Sequence, residues 1–128
     1  MSDKGWIGVD LDGTLAEYHS FDHTGGIGKA VPLMLDRVKV WLLEGKTVKI
    51  FTARAQYPKQ IPIIKKWLKD NRLPDLEITN VKDLEMIELW DDRCVQVVPN
   101  TGIAIYGSTH YVPTHIPDNI IKHSKIER

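Results

Sequence analysis

Short apolar runs alternate along the chain with longer segments in which apolar residues recur every three or four positions. The runs predict five β-strands, at residues 6–11, 47–52, 76–79, 86–90 and 95–98. Helical periodicity covers residues 32–44 and a second segment that begins after Pro58. Because strands that alternate with helices pair through right-handed crossovers, we predict an α/β fold, a Rossmann-like three-layer sandwich with a mostly parallel five-stranded sheet.

Local signals place the ends of the two helices. Pro32 lies where its missing N–H does no harm to a helix, and Gly45 is a typical stop signal. The second helix presents Ile64 and Leu68 on one apolar stripe and ends before Pro74. We expect both stripes to face a common core.

Two segments lack clear periodicity. Residues 16–31 combine aromatic residues, histidines and glycines, and they predict either a small hinged flap beside the end of the first strand or a passive surface loop. Residues 106–128 carry no recognisable motif and predict an added hairpin and tail. This tail could pack against another subunit, which makes a homo-oligomer one of the expected partners.

Composition narrows the class of protein. The chain has 128 residues, which is enough for one domain over residues 1–128 and too few for two. Its formal net charge is zero, which counts against a polynucleotide partner. Cys94 is the single cysteine and lies in an apolar stretch, so we expect a buried thiol and no internal disulfide. With no apolar leader or membrane-length run, we expect a cytoplasmic protein without a membrane partner.

Two carboxylates follow the first strand. Asp10 and Asp12 come where an apolar strand ends, before Gly13 and Thr14 turn the chain. Ligands of parallel sheets bind beyond the carboxyl ends of the strands. Two acids there repel each other and lose hydration, unless a cation lies between them or one stays protonated. The pattern therefore predicts a functional site at this edge.

Other polar residues follow later strands. Thr52 ends the second strand and serves either as a cap or as a ligand-binding hydroxyl, while Arg54 forms either a surface ion pair or a bidentate contact with a substrate oxygen. Lys82 lies between the third and fourth strands, and its alternative role is an exposed lysine without function. Asp91 and Asp92 end the fourth strand, where neighbouring side chains point to opposite faces.

These residues resemble a known family. The run Asp10-Leu11-Asp12-Gly13-Thr14-Leu15 is similar to the first motif of the haloacid dehalogenase-like (HAD) hydrolases, and Thr52, Lys82 and the Asp91–Asp92 pair resemble the second, third and fourth motifs in order. The resemblance covers residues 7–92. The short gap between Lys82 and Asp91 is similar to that of deoxyribonucleotidase-type members.

The resemblance implies a Mg²⁺-dependent phosphomonoesterase that forms an aspartyl-phosphate. In such an enzyme Asp10 is the nucleophile and Asp12 the general acid and base, assisted by Thr52 and Lys82. The implied metal-binding residues are Asp10, Asp12 (through its backbone carbonyl), Asp91 and Asp92. Backbone donors after Asp12, at Gly13 and Thr14, would hold phosphoryl oxygens, and Ala53 and Arg54, which directly follow Thr52, complete the candidate substrate-binding residues.

The resemblance also limits the architecture and the substrate. Residues 16–31 and 55–81 are too short for the cap domain that many members carry, so we expect the small uncapped branch. The expected substrate is a small phosphate ester, with nucleotides, sugar phosphates and nucleic-acid ends as alternatives. A protein that binds phosphate without turnover, as a regulatory or interaction module on the same fold, is the alternative function.

Overall fold

The computed structural model describes residues 5–19 and 26–105, in two compact units, Met1–Arg93 and Cys94–Arg128. The first unit has an α/β, Rossmann-like fold with a four-stranded parallel sheet in the order β3-β2-β1-β4 and flanking helices. Its elements are β1 (Trp6–Val9), α1 (Pro32–Leu43), β2 (Thr47–Phe51), a short 3₁₀ helix (Ala53–Gln56), α2 (Gln60–Asp70), β3 (Ile78–Thr79) and β4 (Met86–Trp90). Both predicted helices and the first four predicted strands are confirmed.

The core lies around the central strand β1, which is buried along its whole length. Val9 and Ile50 of the sheet are fully buried, as are Val38 of α1 and Ile64 of α2. A parallel strand covered on both faces consists of apolar residues on both sides, which explains the unbroken apolar run before Asp10. Asp10 directly follows this buried strand, and Leu11 and Leu15 beyond it are also fully buried, so the first carboxylate is held between two parts of the core.

The pairing of β1 with β4 contains one irregularity. Trp6 pairs with Met86, but the next residue, Ile7, pairs with Glu88. Ile87 is thus an extra residue on β4, a bulge of the kind that is common at sheet edges and beside active sites. Beyond the bulge the register is regular, and Val9 pairs with Trp90.

The predicted fifth strand does not join the parallel sheet, and this part of the prediction is wrong. Residues Gln96–Val97 form β5, which pairs antiparallel with β6 (Ala104–Ile105) in a sheet of two strands. Asn100 and Gly102 adopt φ values of +67° and +74° between the two strands, so the turn directs the chain back onto itself. Local pairing across this short turn replaces the predicted long-range pairing.

Cys94, at the start of the second unit, also differs from its prediction because it is exposed. Its apolar neighbours Val95 and Val97 are themselves on the surface of the hairpin. Within residues 94–105, two short strands pair without a helix packed on them, so an apolar run here does not indicate burial.

The base of the predicted flap is built by backbone pairing. Ala16 bridges to Ala30, and the Glu17 N–H donates to the Lys29 carbonyl at 2.8 Å. Phe21 and His23 of the flap, and the predicted tail at residues 106–128, lie outside the described residues. Neither of the described helices combines the length and apolar composition needed to cross a membrane.

Candidate active site

Three carboxylates meet at the carboxyl ends of two neighbouring parallel strands. Asp10 follows β1, and Asp91 and Asp92 follow β4. The Asp10 N–H donates to the Trp90 carbonyl at 2.9 Å, which extends the pairing of the strands to the first acid. One oxygen from each of Asp10, Asp91 and Asp92 lies within 4.8 Å of the others. We call these three residues the acidic cluster.

The acidic cluster holds more negative charge than its neighbours among residues 5–19 and 26–105 neutralise. Burial raises the pKa of Asp10 to about 8, and a hydrogen bond with Asp92 and repulsion by Asp91 and Asp92 add to the effect. Among the described residues no lysine, arginine or histidine forms an ion pair with any of the three. The cluster therefore either retains a proton on Asp10 or binds a cation from solution.

Thr14 and Gly13 fix the geometry of the cluster. The Thr14 hydroxyl accepts a hydrogen bond from the Asp92 N–H at 3.0 Å and lies 3.3 Å from Asp10 Oδ2 and from Asp92 Oδ1. Its single proton can be donated to only one of these oxygens at a time. Gly13 has a φ of +94°, and a Cβ there would overlap the Asp92 carboxylate. The positive φ favours a glycine at this position, and any side chain here would also displace the Asp92 carboxylate.

The carboxylate of Asp12, unlike that of Asp10, is paired with a positively charged side chain. Arg54 Nε donates to Asp12 Oδ2 at 2.7 Å and Arg54 Nη2 donates to Asp12 Oδ1 at 2.9 Å, a bidentate pair. Arg54 Nη1 donates to Gln60 Oε1 at 2.9 Å. We call Asp12, Arg54 and Gln60 the arginine clamp. The carboxylate of Asp12 is directed to this clamp and is not one of the three that meet in the acidic cluster.

Arg54 also reaches the flap. It is 91% buried, and its Nη2 donates to the Gly26 carbonyl at 3.1 Å. A buried guanidinium is tolerated because its donors are paired with charged and polar acceptors. Arg54 thus connects the turn after β1, the beginning of α2 and the end of the flap. The two alternatives for Arg54 were a surface ion pair and a bidentate contact with a substrate oxygen. The structure has an ion pair, and this ion pair is buried.

Thr52 is buried, and its hydroxyl can serve both as a cap and as a ligand-binding group, the two roles expected for it. Its Oγ1 accepts a hydrogen bond from the Arg54 N–H at 3.1 Å, which caps the 3₁₀ helix. The hydroxyl proton is not used by that contact and can still be donated to a ligand. Thr52 also lines the cavity beside Asp10.

A cavity of about 890 Å³ opens at this edge of the sheet. Six residues from the predicted site line it: Asp10, Asp12, Thr52, Ala53, Arg54 and Asp91. A smaller pocket of about 290 Å³ is lined by Gly13, Thr14, Asp91 and Asp92, among others. Asp91 lines both, whereas Asp92 lines only the smaller one.

Lys82 is the predicted site residue that lines neither the cavity nor the smaller pocket. It is exposed, and its neighbour Asp83 accepts a hydrogen bond from the Trp6 indole at 2.8 Å. Trp6 begins β1, whereas Asp10 follows the end of β1. The segment after β3 therefore returns from the cavity at Asn80 to the amino edge of the sheet at Asp83, and Lys82 lies on this return.

Several residues of the cavity were missed by the sequence interpretation. They are polar or aromatic residues that follow strand ends or the 3₁₀ helix: Tyr57, Lys59, Gln60, Asn80 and Arg93. Asn80 directly follows β3 and Arg93 follows the paired acids, so a search of every strand end would have found both. No local signal indicated the other three, because their position depends on how the chain turns into α2.

Comparison with known proteins supports the fold. No protein-family model matches the chain, and no curated protein matches it at a significant level. The solved structure of a conserved protein from Bacteroides thetaiotaomicron is similar, with a TM-score of 0.57 and 21% sequence identity over 74% of this chain and 81% of that chain. At this identity the similarity establishes a shared α/β fold.

Proposed function

We propose that this protein is a Mg²⁺-dependent phosphomonoesterase of the HAD-like type, without a cap domain. The observation that carries the proposal is the convergence of Asp10, Asp91 and Asp92 within 4.8 Å at the carboxyl edge of the sheet. The order of the four motifs along residues 7–92 supports it. The segment between β2 and β3 holds only the 3₁₀ helix and α2, which agrees with the absence of a cap there.

The chemistry of the donors fits a hard divalent cation. Carboxylate oxygens are the ligands that Mg²⁺ prefers, and no cationic side chain among the described residues is ion-paired with the cluster. Asp10 and Asp91 would hold the ion toward the main cavity, with Asp92 beside them. Bound there, Mg²⁺ would offset the repulsion between the carboxylates and an anionic phosphate.

The two aspartates of the first motif would divide the reaction. Asp10 attacks phosphorus, forming an O–P bond while the bond from phosphorus to the ester oxygen breaks. Asp12, an ionised carboxylate while it is paired with Arg54, would first take up a proton from solvent and then pass it to the departing oxygen. Asp12 then takes a proton from water as that water attacks the aspartyl-phosphate, which releases inorganic phosphate and regenerates Asp10.

The arginine clamp is compatible with this role of Asp12. Each of its oxygens accepts one hydrogen bond from Arg54. A carboxylate has about four lone-pair sites, so capacity for the transferred proton remains while the clamp holds the group in place. The Thr52 hydroxyl, and the cations Lys59 and Arg93 that line the cavity, would meet the oxygens of the phosphate.

Hydrolysis of p-nitrophenyl phosphate tests the proposal. Activity should vanish in EDTA, return with Mg²⁺, and be weak with Ca²⁺, whose larger and looser shell misplaces the phosphate. Asp91→Asn should lose activity at limiting Mg²⁺. Asp36→Asn, which changes an exposed aspartate of α1 outside the cavity, is the matched control and should retain it.

Activity that persists in EDTA would contradict the metal requirement. Phosphate binding without any hydrolysis would instead favour the non-catalytic binding module. Mass spectrometry of the acid-quenched Asp12→Asn protein should detect a phosphoryl group on Asp10, and a phosphoryl group on another residue would reject the nucleophile.

A further inference from the structure

The main cavity has more recognition groups than a phosphate requires. Besides the carboxylates and Thr52, it is lined by the rings of Tyr18, Phe51 and Tyr57 and by the amides of Gln56 and Asn80. A volume of about 890 Å³ lies in the range of cavities that enclose a whole small molecule. We therefore expect these additional groups to contact the leaving group of the substrate, which is the part that remains after the phosphate is removed.

The aromatic residues are available for contact. Tyr57 and Tyr18 expose 57% and 39% of their surface, although both line the cavity. An exposed tyrosine ring in a cavity offers a flat, rigid surface for a planar ring, and stacking of this kind tolerates any base. Tyr57 is held at the end of the 3₁₀ helix, where its N–H donates to the Arg54 carbonyl at 3.0 Å.

The polar residues have unused hydrogen-bonding capacity. Among the described residues, the side chains of Lys59 and Arg93 form no ion pair, unlike Lys65 and Lys66 on the outer surface of α2. The amides of Gln56 and Asn80 each combine a donor with an acceptor. Cations can bind a phosphate, aromatic rings can stack on a base, and amides can form hydrogen bonds with the polar edge of that base. Together, these groups fit a nucleotide.

We infer that the substrate is a nucleoside monophosphate, stacked on Tyr57, an inference that rests on the proposed function. A single nucleotide and the phosphorylated end of a nucleic acid share this chemistry. The formal net charge of zero and the size of the cavity favour the single nucleotide.

The experiment compares kcat/KM for adenosine 5′-monophosphate and ribose 5-phosphate, which differ only by the base. The wild-type protein should prefer the nucleotide, and Tyr57→Ala should lower kcat/KM for the nucleotide by about tenfold. The same variant should leave ribose 5-phosphate within about twofold. Tyr57→Phe keeps the ring and should retain the preference for the nucleotide, whereas Leu43→Ala, an exposed substitution at the end of α1, is the control that should behave as wild type.

Equal kcat/KM for the two esters in the wild-type protein, or equal losses for both in Tyr57→Ala, would overturn the inference and leave the phosphatase proposal intact. Better hydrolysis of a 5′-phosphorylated dinucleotide than of the mononucleotide would keep the base-stacking site and assign it to nucleic-acid ends.

Ligand-observed NMR with adenosine, which carries no phosphate, separates the two proposals. Saturation transfer should be strongest at the protons of the base and should be lost in Tyr57→Ala. If no ester is hydrolysed but this signal is seen, the phosphatase proposal fails and the ligand class stands. Absence of the signal in the wild-type protein would reject the ligand class.

Discussion

Asp10 and Asp12 are two residues apart, yet their carboxylates have opposite electrostatic surroundings. Asp12 is held by two hydrogen bonds from a buried guanidinium. Asp10 has two carboxylates as neighbours, no ion pair with the described residues and a pKa raised to about 8. The arginine clamp contains its own counterion, whereas the part of the chain that the structure describes supplies none to the acidic cluster.

This difference indicates how one short turn can support two roles. A carboxylate that is already neutralised can be held still, which suits a group that must be oriented. A carboxylate with uncompensated charge attracts a cation, and the cation in turn attracts a phosphate. The two surroundings make separate predictions, because a substitution in one should leave the charge balance of the other unchanged.

Loss of the Asp10 carboxylate should have the largest effect. Asp10→Asn should lower kcat for p-nitrophenyl phosphate by at least about a thousandfold, because the nucleophile is removed. Far-UV circular dichroism should show an unchanged fold, since the asparagine is uncharged and of similar size. More than a few per cent of wild-type kcat, with deamidation excluded by mass spectrometry, would reject Asp10 as nucleophile.

The two acids that follow β4 should contribute unequally to metal binding. Asp91 lines the main cavity together with Asp10, whereas Asp92 is held by Thr14 and packs against Gly13. The Mg²⁺ concentration for half-maximal activity should rise roughly a hundredfold in Asp91→Ala and roughly tenfold in Asp92→Ala. The reverse order would mean that Asp92 is the principal ligand.

Substitutions of Arg54 test the clamp alone. Arg54→Lys keeps the positive charge but loses the bidentate geometry, so kcat should fall roughly tenfold while the Mg²⁺ requirement stays unchanged. Gln60→Ala removes one acceptor of the guanidinium and should have a smaller effect in the same direction. If Arg54→Lys altered the Mg²⁺ requirement as strongly as Asp91→Ala, the two sites would not be independent.

The smallest effect concerns stability as a function of pH in EDTA. The pKa of Asp10 rises from 3.8 to about 8 on folding, so its contribution to stability is fully present below pH 3.8 and is lost as the pH rises toward 8. Asp10→Asn does not titrate and should therefore exceed the wild-type Tm at pH 8 by roughly 5 °C, with the difference shrinking toward pH 4.

Thermal unfolding between these pH values measures the effect, and Mg²⁺ should raise the Tm of the wild-type protein alone. A constant difference between Asp10→Asn and the wild type across the range would mean that Asp10 is not the titrating group.

The sequence predicted the parallel sheet well because the evidence was local. Apolar runs followed by polar strand ends placed Asp10, Thr52 and Asp91 at one edge, and the structure brings these three to one cavity. The contact of Arg54 with Asp12 joins residues 42 positions apart, and no periodicity encodes it. The route of the chain after β3, which determines the position of Lys82, depends on the contact between Asp83 and Trp6.

The fifth strand illustrates a different limit. Its apolar residues predicted a strand correctly but carried no information on its partner, which the turn at Asn100 and Gly102 determines. The hydrophobic pattern therefore predicts that a strand exists more accurately than it predicts which strand pairs with it.

The extra residue in β4 sets which side chain lies opposite Asp10. If pairing continued regularly from Trp6 and Met86, Ile7 would lie opposite Ile87 and Asp10 would lie opposite Trp90. The bulge advances β4 by one position, and Asp91 takes that place instead. The acidic cluster is thus specified by a count of residues as much as by their identity. Deletion of Ile87 would leave Met86 followed directly by Glu88 and keep Asp91 opposite Asp10 without a bulge, whereas deletion of a residue between Glu88 and Asp91 would shift the acids past Asp10. The length that matters for the site is therefore the spacing between the bulge and the acids, and the exposed side chain of Ile87 is dispensable to it.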